Sequence, residues 1–410
     1  MDELSSQNVQ NEEHFLDFHY AAQVSLWLLK PMGAWPLQQQ PTILEIIVYI
    51  FSIAITTFLQ LFMIIPWFLS IITANWSFYD IIRTACPLIF VNTIFLRYLL
   101  LLFHRDAIRS CINCVAEDWR NVVIAEHREI MLTNAKSGRF FGMVSVAFMF
   151  SSGLPYCVMP LLLPSPVNED NVTIKVFPNP CELIFVDVQV SPFYEVAYTL
   201  DVFACCVFYT IFCGICSLTA KFVMHACGQC EILMDFFEKL VDGDDKNEST
   251  INQRISNVVT HHLRILKFVS DVDKVLNEIC LAEFLNSSCN ICLLGYYVIV
   301  DLRNHEPMIQ IFVYFVACVS ITFNIYIFCY IGEQLVDRAQ KIGTTCYMIE
   351  WYQLPNDKAR SMIFPIIMSS YPIELTAGKM LKMTMSSFSN ILKISMTYFN
   401  LLREVSSRDV

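Results

Sequence analysis

The segment VFACCVFYTIFCGICSLTA, residues 202–220, contains no charged side chain. A helix needs about 20 apolar residues to cross the hydrocarbon core of a bilayer, and this segment meets that requirement. The whole chain agrees, since 55% of its residues are hydrophobic, only 16% are charged, and its mean hydropathy is +0.50. Soluble domains carry roughly 25% charged residues. The sequence therefore predicts a membrane protein, and its net charge of −11 argues against binding to nucleic acid.

Further apolar segments of the same kind lie on either side of this one. They comprise residues 46–72, 84–103, 140–163, 284–300 and 308–332, together with a discontinuous segment, 361–405. The discontinuous segment breaks at Ser-Ser-Tyr-Pro, residues 369–372, and we expect a more polar helix from about Thr376 onward. The sequence thus predicts an all-α polytopic membrane protein with seven transmembrane helices.

The distribution of Lys and Arg predicts the orientation. The first segment and the connections after the second, fourth and sixth spans hold 18 of these residues, whereas the other connections hold three. Cytoplasmic connections are enriched in Lys and Arg, so we expect an inverted topology relative to G-protein-coupled receptors, with the amino terminus inside and the carboxyl terminus outside. The glycosylation sequons at Asn75 and Asn171 both lie in connections that this count places outside.

The region from Phe193 to Glu306 lacks proline and predicts two unusually long helices. We expect them at about 193–241 and 251–302, joined by an Asp-Gly-Asp-Asp turn at 242–245. Each helix would measure about 75 Å against a hydrocarbon core of about 30 Å, so each would extend far into the cytoplasm. A kinked helix followed by a flexible loop is the alternative.

These features divide the chain into six parts. In order they are a cytoplasmic segment (1–42), spans one to four (43–223), a cytoplasmic helical stalk (224–280), spans five and six (281–332), a cytoplasmic connection with the short first half of span seven (333–372), and the more polar second half of span seven with an extracellular carboxyl terminus (373–410).

The 17 cysteines and eight histidines predict neither a metal site nor catalysis. Cys213 and Cys227 belong to C-x-x-C pairs, but they would lie about 21 Å apart on one helix, too far to share an ion. Catalytic and phosphate-binding motifs are absent from the sequence. We therefore expect no enzyme activity, no cofactor and no metal. Cys181 has Cys157 or Cys86 as candidate disulfide partners.

Polar residues recur at steps of three and four along the last segment. They are Lys382, Ser386, Ser389, Lys393, Thr397, Asn400 and Glu404. Such a stripe either packs inside the chain's own bundle or lines a water-filled path shared by several copies. The candidate pore-lining residues are Ser386, Asn390, Lys393, Thr397, Asn400 and Glu404. Leu401 and Val405, near the outer end, are the candidate gate, because apolar rings close pores by dewetting.

The same segment resembles the carboxyl-terminal signature of insect odorant receptors. The matching residues are Tyr371-Pro372-Ile373-Glu374-Leu375-Thr376-Ala377-Gly378-Lys379 and Ser386 through Arg403, with Ile391-Leu392-Lys393 and Tyr398-Phe399 in the family's order. The resemblance implies an odorant-gated cation channel in the plasma membrane of olfactory sensory neurons. It also implies a tetramer containing an odorant co-receptor, surrounded by membrane lipid, with the last helix at a central pore. Glu404 stands where the family often has a neutral amide.

The resemblance further implies a pocket for a small volatile organic ligand in the outer half of spans two, three, four and six. The positions of this sequence that fall there are Phe90, Val91, Ser152, Tyr156, Phe203, Cys206, Tyr314, Phe315 and Cys318. A gustatory-type channel, a secondary transporter and a G-protein-coupled receptor are the alternatives. The Thr397-Tyr398 pair fits the gustatory ending, whereas Glu404-Val405 does not.

Overall fold

The computed structural model describes residues 11–37, 40–73, 78–163, 175–179, 189–241, 248–370 and 373–408. These ranges are almost entirely helical. The helices are α1 (His14–Leu29), α2 (Ile43–Thr73), α3 (Phe78–Phe103), α4 (Arg105–Asn121), α5 (Ala125–Leu162), α6 (Phe193–Glu238), α7 (Glu248–Arg303), α8 (Met308–Met348), α9 (Asn356–Ser361), α10 (Ile363–Ser370) and α11 (Met385–Arg408). A short 3-10 turn covers Trp351–Gln353, and strands β1 (Thr376–Ala377) and β2 (Leu381–Lys382) form an antiparallel hairpin.

Six helices in the described ranges are long and apolar enough to cross a membrane. They are α2, α3, α5, α6, α7 and α8, and each contains one of the predicted uninterrupted spans. The all-α membrane fold is therefore confirmed. The seventh span corresponds to α10 and α11, and α11 does not join this group because its polar stripe lowers its hydropathy. The orientation in the membrane stays a prediction.

The two predicted long helices are confirmed. α6 has 46 residues and α7 has 56, which correspond to about 69 Å and 84 Å of helix. The alternative of a kinked helix with a flexible loop is wrong, although the predicted turn at 242–245 lies outside the described residues. α8 also continues to Met348, well past the predicted end of its span at 332, into residues expected to connect spans six and seven.

Helix α6 is the centre of the molecule. Residues 211–230 are buried on every face, and α1, α5, α7 and α8 all pack against this helix. A helix that is apolar all round is expected in such a position. In contrast, only 17% of the most apolar window of α2 is buried, against 72% for α6. The part of α6 that was predicted to belong to the stalk, from residue 224 onward, thus packs against other helices of the same chain.

Arg97, the single charge in the second predicted span, is buried against an acidic partner. It forms an ion pair with Glu283 of α7, and both side chains are fully buried. The Arg97 guanidinium carbon also lies 5.2 Å from the ring centroid of Phe212. Ionisable groups inside a membrane bundle normally pair in this way, so Arg97 does not interrupt the span.

A second group of ion pairs joins α4, α6 and α7 at the end of the bundle expected in the cytoplasm. Asp118 Oδ2 lies 2.9 Å from His225 Nε2, and Arg264 Nε donates to Asp118 Oδ1 at 2.6 Å. Burial alone would raise the pKa of Asp118, but His225 and Arg264 together hold it below its usual value. The Asp118 carboxylate is therefore charged at neutral pH and fastens three helices together.

The join between α10 and α11 differs from the predicted helix start at Thr376. Residues 376–382 form the hairpin instead, with Thr376 opposite Lys382. Gly378 and Lys379 have φ of +62° and +58°, which a right-handed helix does not permit. Lys382, the first member of the predicted stripe, consequently lies on β2 and not on α11. The hairpin reorients the chain before the last helix begins at Met385.

Candidate functional site

The polar stripe of α11 lies on the outer surface of the chain. Every candidate pore-lining residue is exposed, namely Ser386, Asn390, Lys393, Thr397, Asn400 and Glu404, and so is Ser389. The opposite face of the helix is buried through Ile391, Ser395 and Phe399. The arrangement in which the stripe packs inside its own bundle is therefore not the one that the structure adopts.

The buried face of α11 packs mainly on α7. Ser395 Oγ donates to the backbone oxygen of Ser288 at 3.0 Å. A Cβ added at Gly295 would lie 3.9 Å from the ring of Phe399, which is ordinary contact. Polar contact between neighbouring helices is thus made by Ser395, on the side away from the stripe.

The candidate gate residue Leu401 lies beside the stripe near the end of α11. Its exposed fraction is 56%, so it makes little contact within its own chain. Asn400 and Glu404, its polar neighbours, are also exposed. Val405 belongs to α11, but its side chain lies outside the part that the structure describes. The end of the helix therefore carries Leu401, Asn400 and Glu404 on a face that is exposed in the single chain.

The predicted ligand-binding residues of α3 belong to a buried aromatic group. Phe90 and Val91 are buried, and the Phe90 ring centroid lies 5.8 Å from that of Phe212 and 6.2 Å from that of Tyr209. Phe150 of α5 contacts Tyr209 at 6.0 Å. These three partners were not predicted.

One helical turn separates Cys206, which was predicted, from Tyr209. Residues one turn apart lie on the same face of a helix, so the helical period of this segment could have indicated Tyr209 once Cys206 was chosen.

Polar side chains meet near the carboxyl end of α5 and the amino end of α6. The Tyr156 hydroxyl donates to Asn179 Oδ1 at 3.3 Å, and Asn179 Nδ2 donates to Asp201 Oδ2 at 3.2 Å. Ser152 is buried, and its hydroxyl donates within its own helix to the oxygen of Met149. Asn179 and Asp201 were not predicted. Asp201 stands directly before the charge-free segment 202–220, and an acidic residue at that position was the available signal.

The remaining predicted pocket residues are divided between the interior and the surface. Cys206, Tyr314 and Cys318 are half-buried, and the Tyr314 ring lies 5.9 Å from that of Tyr297. Phe203 and Phe315 are 60% and 55% exposed and face away from the chain. The structure does not bring Phe203 and Phe315 together with the buried aromatic group.

The remaining predictions concern two glycosylation sites, one disulfide and the absence of a metal site. Asn75, Asn171 and Cys181 lie outside the described residues, so both glycosylation sites and the disulfide stay predictions. Among the residues that the structure describes, no three His, Cys, Asp or Glu side chains are grouped as a metal ion would require.

Comparison with known proteins decides the family. The family model described as 7tm Odorant receptor matches residues 77–396, most of the chain. The chain belongs to the odorant receptor family. Membership in this family shows that the chain is a multi-pass membrane receptor and not an enzyme. It argues against the three alternatives, namely a gustatory-type channel, a secondary transporter and a G-protein-coupled receptor.

Relatives of this odorant receptor occur in insects. It is 26% identical to Odorant receptor 10 of Aedes albopictus over 224 residues, which cover 54% of this chain and 58% of that protein. It is 25% identical to Odorant receptor 13a of Drosophila melanogaster over 365 residues, which cover 80% and 81% of the two chains. The Aedes match thus spans only slightly more than half of that relative.

A solved structure has the same fold. The insect olfactory receptor OR5 from Machilis hrabei, in complex with eugenol, matches with a TM-score of 0.77 over 96% of this chain and 100% of that chain. The sequence identity is 14%, so the likeness concerns the fold alone.

Proposed function

We propose that this odorant receptor is the ligand-binding subunit of a poorly selective, ligand-gated cation channel. A small volatile molecule binds within the outer half of the subunit, and α11 lines a central pore shared by four subunits. An odorant co-receptor supplies the other subunits of the tetramer. The channel works in the plasma membrane of olfactory sensory neurons, with the amino terminus in the cytoplasm.

The exposed polar stripe of α11 is the observation that carries this proposal. Charged and hydroxyl groups at membrane depth are costly against lipid, so neighbouring protein or water must cover them. Lys393 and Glu404 make an uncovered stripe especially unfavourable. Several copies arranged in a ring would turn their stripes toward a common aqueous path, whereas one copy cannot enclose a pore. A translocation path inside a single chain would require the stripe to face inward.

The buried group around Phe90, Tyr209 and Phe212 supports a mainly apolar ligand. Binding sites for small molecules combine apolar walls with a few polar groups that fix orientation. Tyr156, bound to Asn179, supplies such a polar group nearby. Eugenol, present in the Machilis structure, is a small aromatic molecule of this chemical class. We infer a ligand of similar size, contacted by Phe90, Val91, Ser152, Tyr156, Cys206, Tyr314 and Cys318.

Leu401 and Val405 form the gate in this proposal. A ring of these side chains would exclude water from a narrow closed pore. Ligand binding opens the ring only if the ligand binds the open state more tightly than the closed state. Asn400 and Glu404 then offer oxygen atoms to passing cations.

Whole-cell currents test the proposal directly. The chain is expressed with an odorant co-receptor, and a panel of volatile compounds including eugenol is applied. We expect an inward cation current with the pair of subunits. Glu404→Gln should change the permeability of Ca²⁺ relative to Na⁺ by about twofold or more, because it removes a carboxylate from the path. Glu278→Gln, on an exposed site of α7, is the control and should leave the ratio unchanged.

Two outcomes would contradict the proposal. The first is the absence of ligand-evoked current across the panel despite surface expression of both chains. The second is a current whose permeability ratio does not respond to substitution at Glu404 or Lys393, since the last helix would then not border the path of the ions.

A further inference from the structure

The hairpin between α10 and α11 is seated between α7 and α8. Ala377 of the first strand and the flanking residues Leu375 and Met383 are buried, whereas Met380 and Leu381 are exposed. Only two residues separate β2 from the start of α11 at Met385. The position of the hairpin therefore fixes where the last helix begins.

Helix α7 holds the first strand of the hairpin through a carboxylate. Both the backbone N–H and the hydroxyl of Thr376 donate to Asp273 Oδ1, at 2.7 and 2.9 Å. The N–H of Gly378 donates to the backbone oxygen of Asn277 at 2.8 Å. Glycine is favoured at 378 by the positive φ, and an added Cβ would displace the end of the Leu281 side chain, 2.6 Å away. Hydrogen bonds to a charged acceptor are stronger than neutral ones, which makes Asp273 the principal contact.

Helix α8 holds the residue that follows the second strand and the first turn of α11. A Cβ at Gly332 would lie 2.1 Å from the backbone oxygen of Met383, so the chain just after β2 contacts the helix backbone directly. Next to it, Glu333 Oε2 accepts the N–H of Met385 at 3.0 Å. The first N–H groups of a helix have no partner within the helix, and a carboxylate is favoured there by hydrogen bonding and by the helix dipole. Glu333 thus fixes the first residue of α11 to α8.

We propose that Asp273 and Glu333 are positioning residues that couple α7 and α8 to the last helix. This inference rests on the proposed channel function. α8 carries Tyr314, a proposed ligand contact, and Glu333 on one continuous helix, so the two lie about 28 Å apart along a rigid element. A displacement of α8 at the ligand site therefore reaches the start of α11 through Glu333. Asp273 transmits displacements of α7 to the same hairpin.

Four variants and one control test the coupling in the complete channel with its co-receptor. Asp273→Ala and Glu333→Ala remove the acceptors, whereas Asp273→Asn and Glu333→Gln retain an oxygen that accepts the same hydrogen bonds. The control is Glu278→Ala, an exposed acid on α7. Agonist potency, maximal current per surface receptor, single-channel conductance and reversal potential are measured for each variant.

We expect both alanine variants to require about fivefold or more agonist for half-maximal response, because part of the coupling free energy is lost. Conductance and reversal potential should stay at the wild-type values, since the pore itself is unchanged. The amide variants should recover most of the potency.

A direct structural readout accompanies the currents. Amide hydrogen exchange of residues 373–384 should be faster in both alanine variants than in Glu278→Ala. The coupling role is overturned if the wild-type channel conducts but both alanine variants keep its potency, or if potency falls without faster exchange. A wild-type channel without ligand-evoked current would instead refute the proposed function.

Discussion

Leu401 is the residue whose substitution reports most directly on the gate. Leu401→Ala removes most of an apolar side chain that is 56% exposed on the chain's surface. A smaller, less apolar constriction is more easily wetted, so we expect the ligand-free current to rise about severalfold. Met396→Ala is the control, because Met396 is equally exposed but lies on the flank of α11 away from Leu401. An unchanged resting current in Leu401→Ala would argue against a gate at this position.

Asp118 joins three helices at the end of the bundle expected in the cytoplasm, through His225 and Arg264. Asp118→Asn should lower the free energy of unfolding by about 1–3 kcal/mol, since His225 and Arg264 lose a charged partner. Glu117→Gln should cost less than about 1 kcal/mol because the Glu117 carboxylate is largely exposed. Thermal unfolding of the purified protein compares the two variants. Equal losses of unfolding free energy in the two variants would contradict the role of Asp118 in joining the three helices.

The pH dependence of this contribution follows from the direction of the pKa shift. The pKa of Asp118 is lowered from 3.8 in the folded state. Its stabilising contribution is therefore present above 3.8 and is lost as the pH falls through the lowered value. The difference in unfolding temperature between wild type and Asp118→Asn should decrease below pH 3.8. A difference in unfolding temperature that grows as the pH falls would show that the pKa of Asp118 is raised in the folded state and not lowered.

At the residue scale, the polar stripe of α11 could be predicted from Ser386 onward, whereas Asn179, Asp201 and most of the buried aromatic contacts could not. The stripe of α11 follows from spacing alone, because a 3.6-residue period determines which residues share a face. The rotation of a helix within a bundle does not follow from spacing. Phe203 and Phe315 were therefore expected inside and lie at the surface, whereas Tyr209 and Phe212 were missed.

At the scale of helices, the contact between α5 and α6 supports the buried aromatic group. A Cβ at Gly153 would lie 2.3 Å from the ring of Tyr209, which itself packs against Phe90 and Phe150. Gly153→Ala should therefore displace Tyr209 at a cost of about 1–3 kcal/mol and weaken the ligand response about tenfold. Dose–response curves, corrected for surface expression, measure the effect.

Gly295→Ala is the matched control for this substitution. Its added Cβ would lie 3.9 Å from Phe399, a distance that needs no rearrangement. We expect its dose–response curve to match that of the wild type. A Gly153→Ala receptor with wild-type potency would place the ligand away from Tyr209.

The long helices could be predicted because proline is absent and the apolar residues repeat with a helical period. The hairpin could not, since strands β1 and β2 have two residues each and no alternating pattern can be read from so few positions. Its stability comes from contacts with α7 and α8 that are 52 to 103 positions away in the sequence. The central position of α6 among the helices could not be predicted either, because it also depends on tertiary contacts.

At the scale of the whole molecule, the orientation in the membrane is open to a direct test. We expect an epitope at the amino terminus to be stained only after permeabilisation and one at the carboxyl terminus to be stained in intact cells. Asn75→Gln and Asn171→Gln should each increase gel mobility if both sequons are glycosylated outside the cell. Surface staining of an amino-terminal epitope in intact cells would contradict the positive-inside assignment.

The central claim is that the polar stripe of α11 borders a water-filled path shared by several subunits. Thr397→Cys, tested with the co-receptor, places a thiol on this stripe, and Ser395→Cys places one on the face buried against α7. A charged thiol reagent applied outside, in the presence of ligand, should block the current of Thr397→Cys and leave Ser395→Cys and wild type unaffected. Without ligand, the block should be much slower because the gate lies outside residue 397. Persistent current in Thr397→Cys, or equal block of Ser395→Cys, would contradict the account.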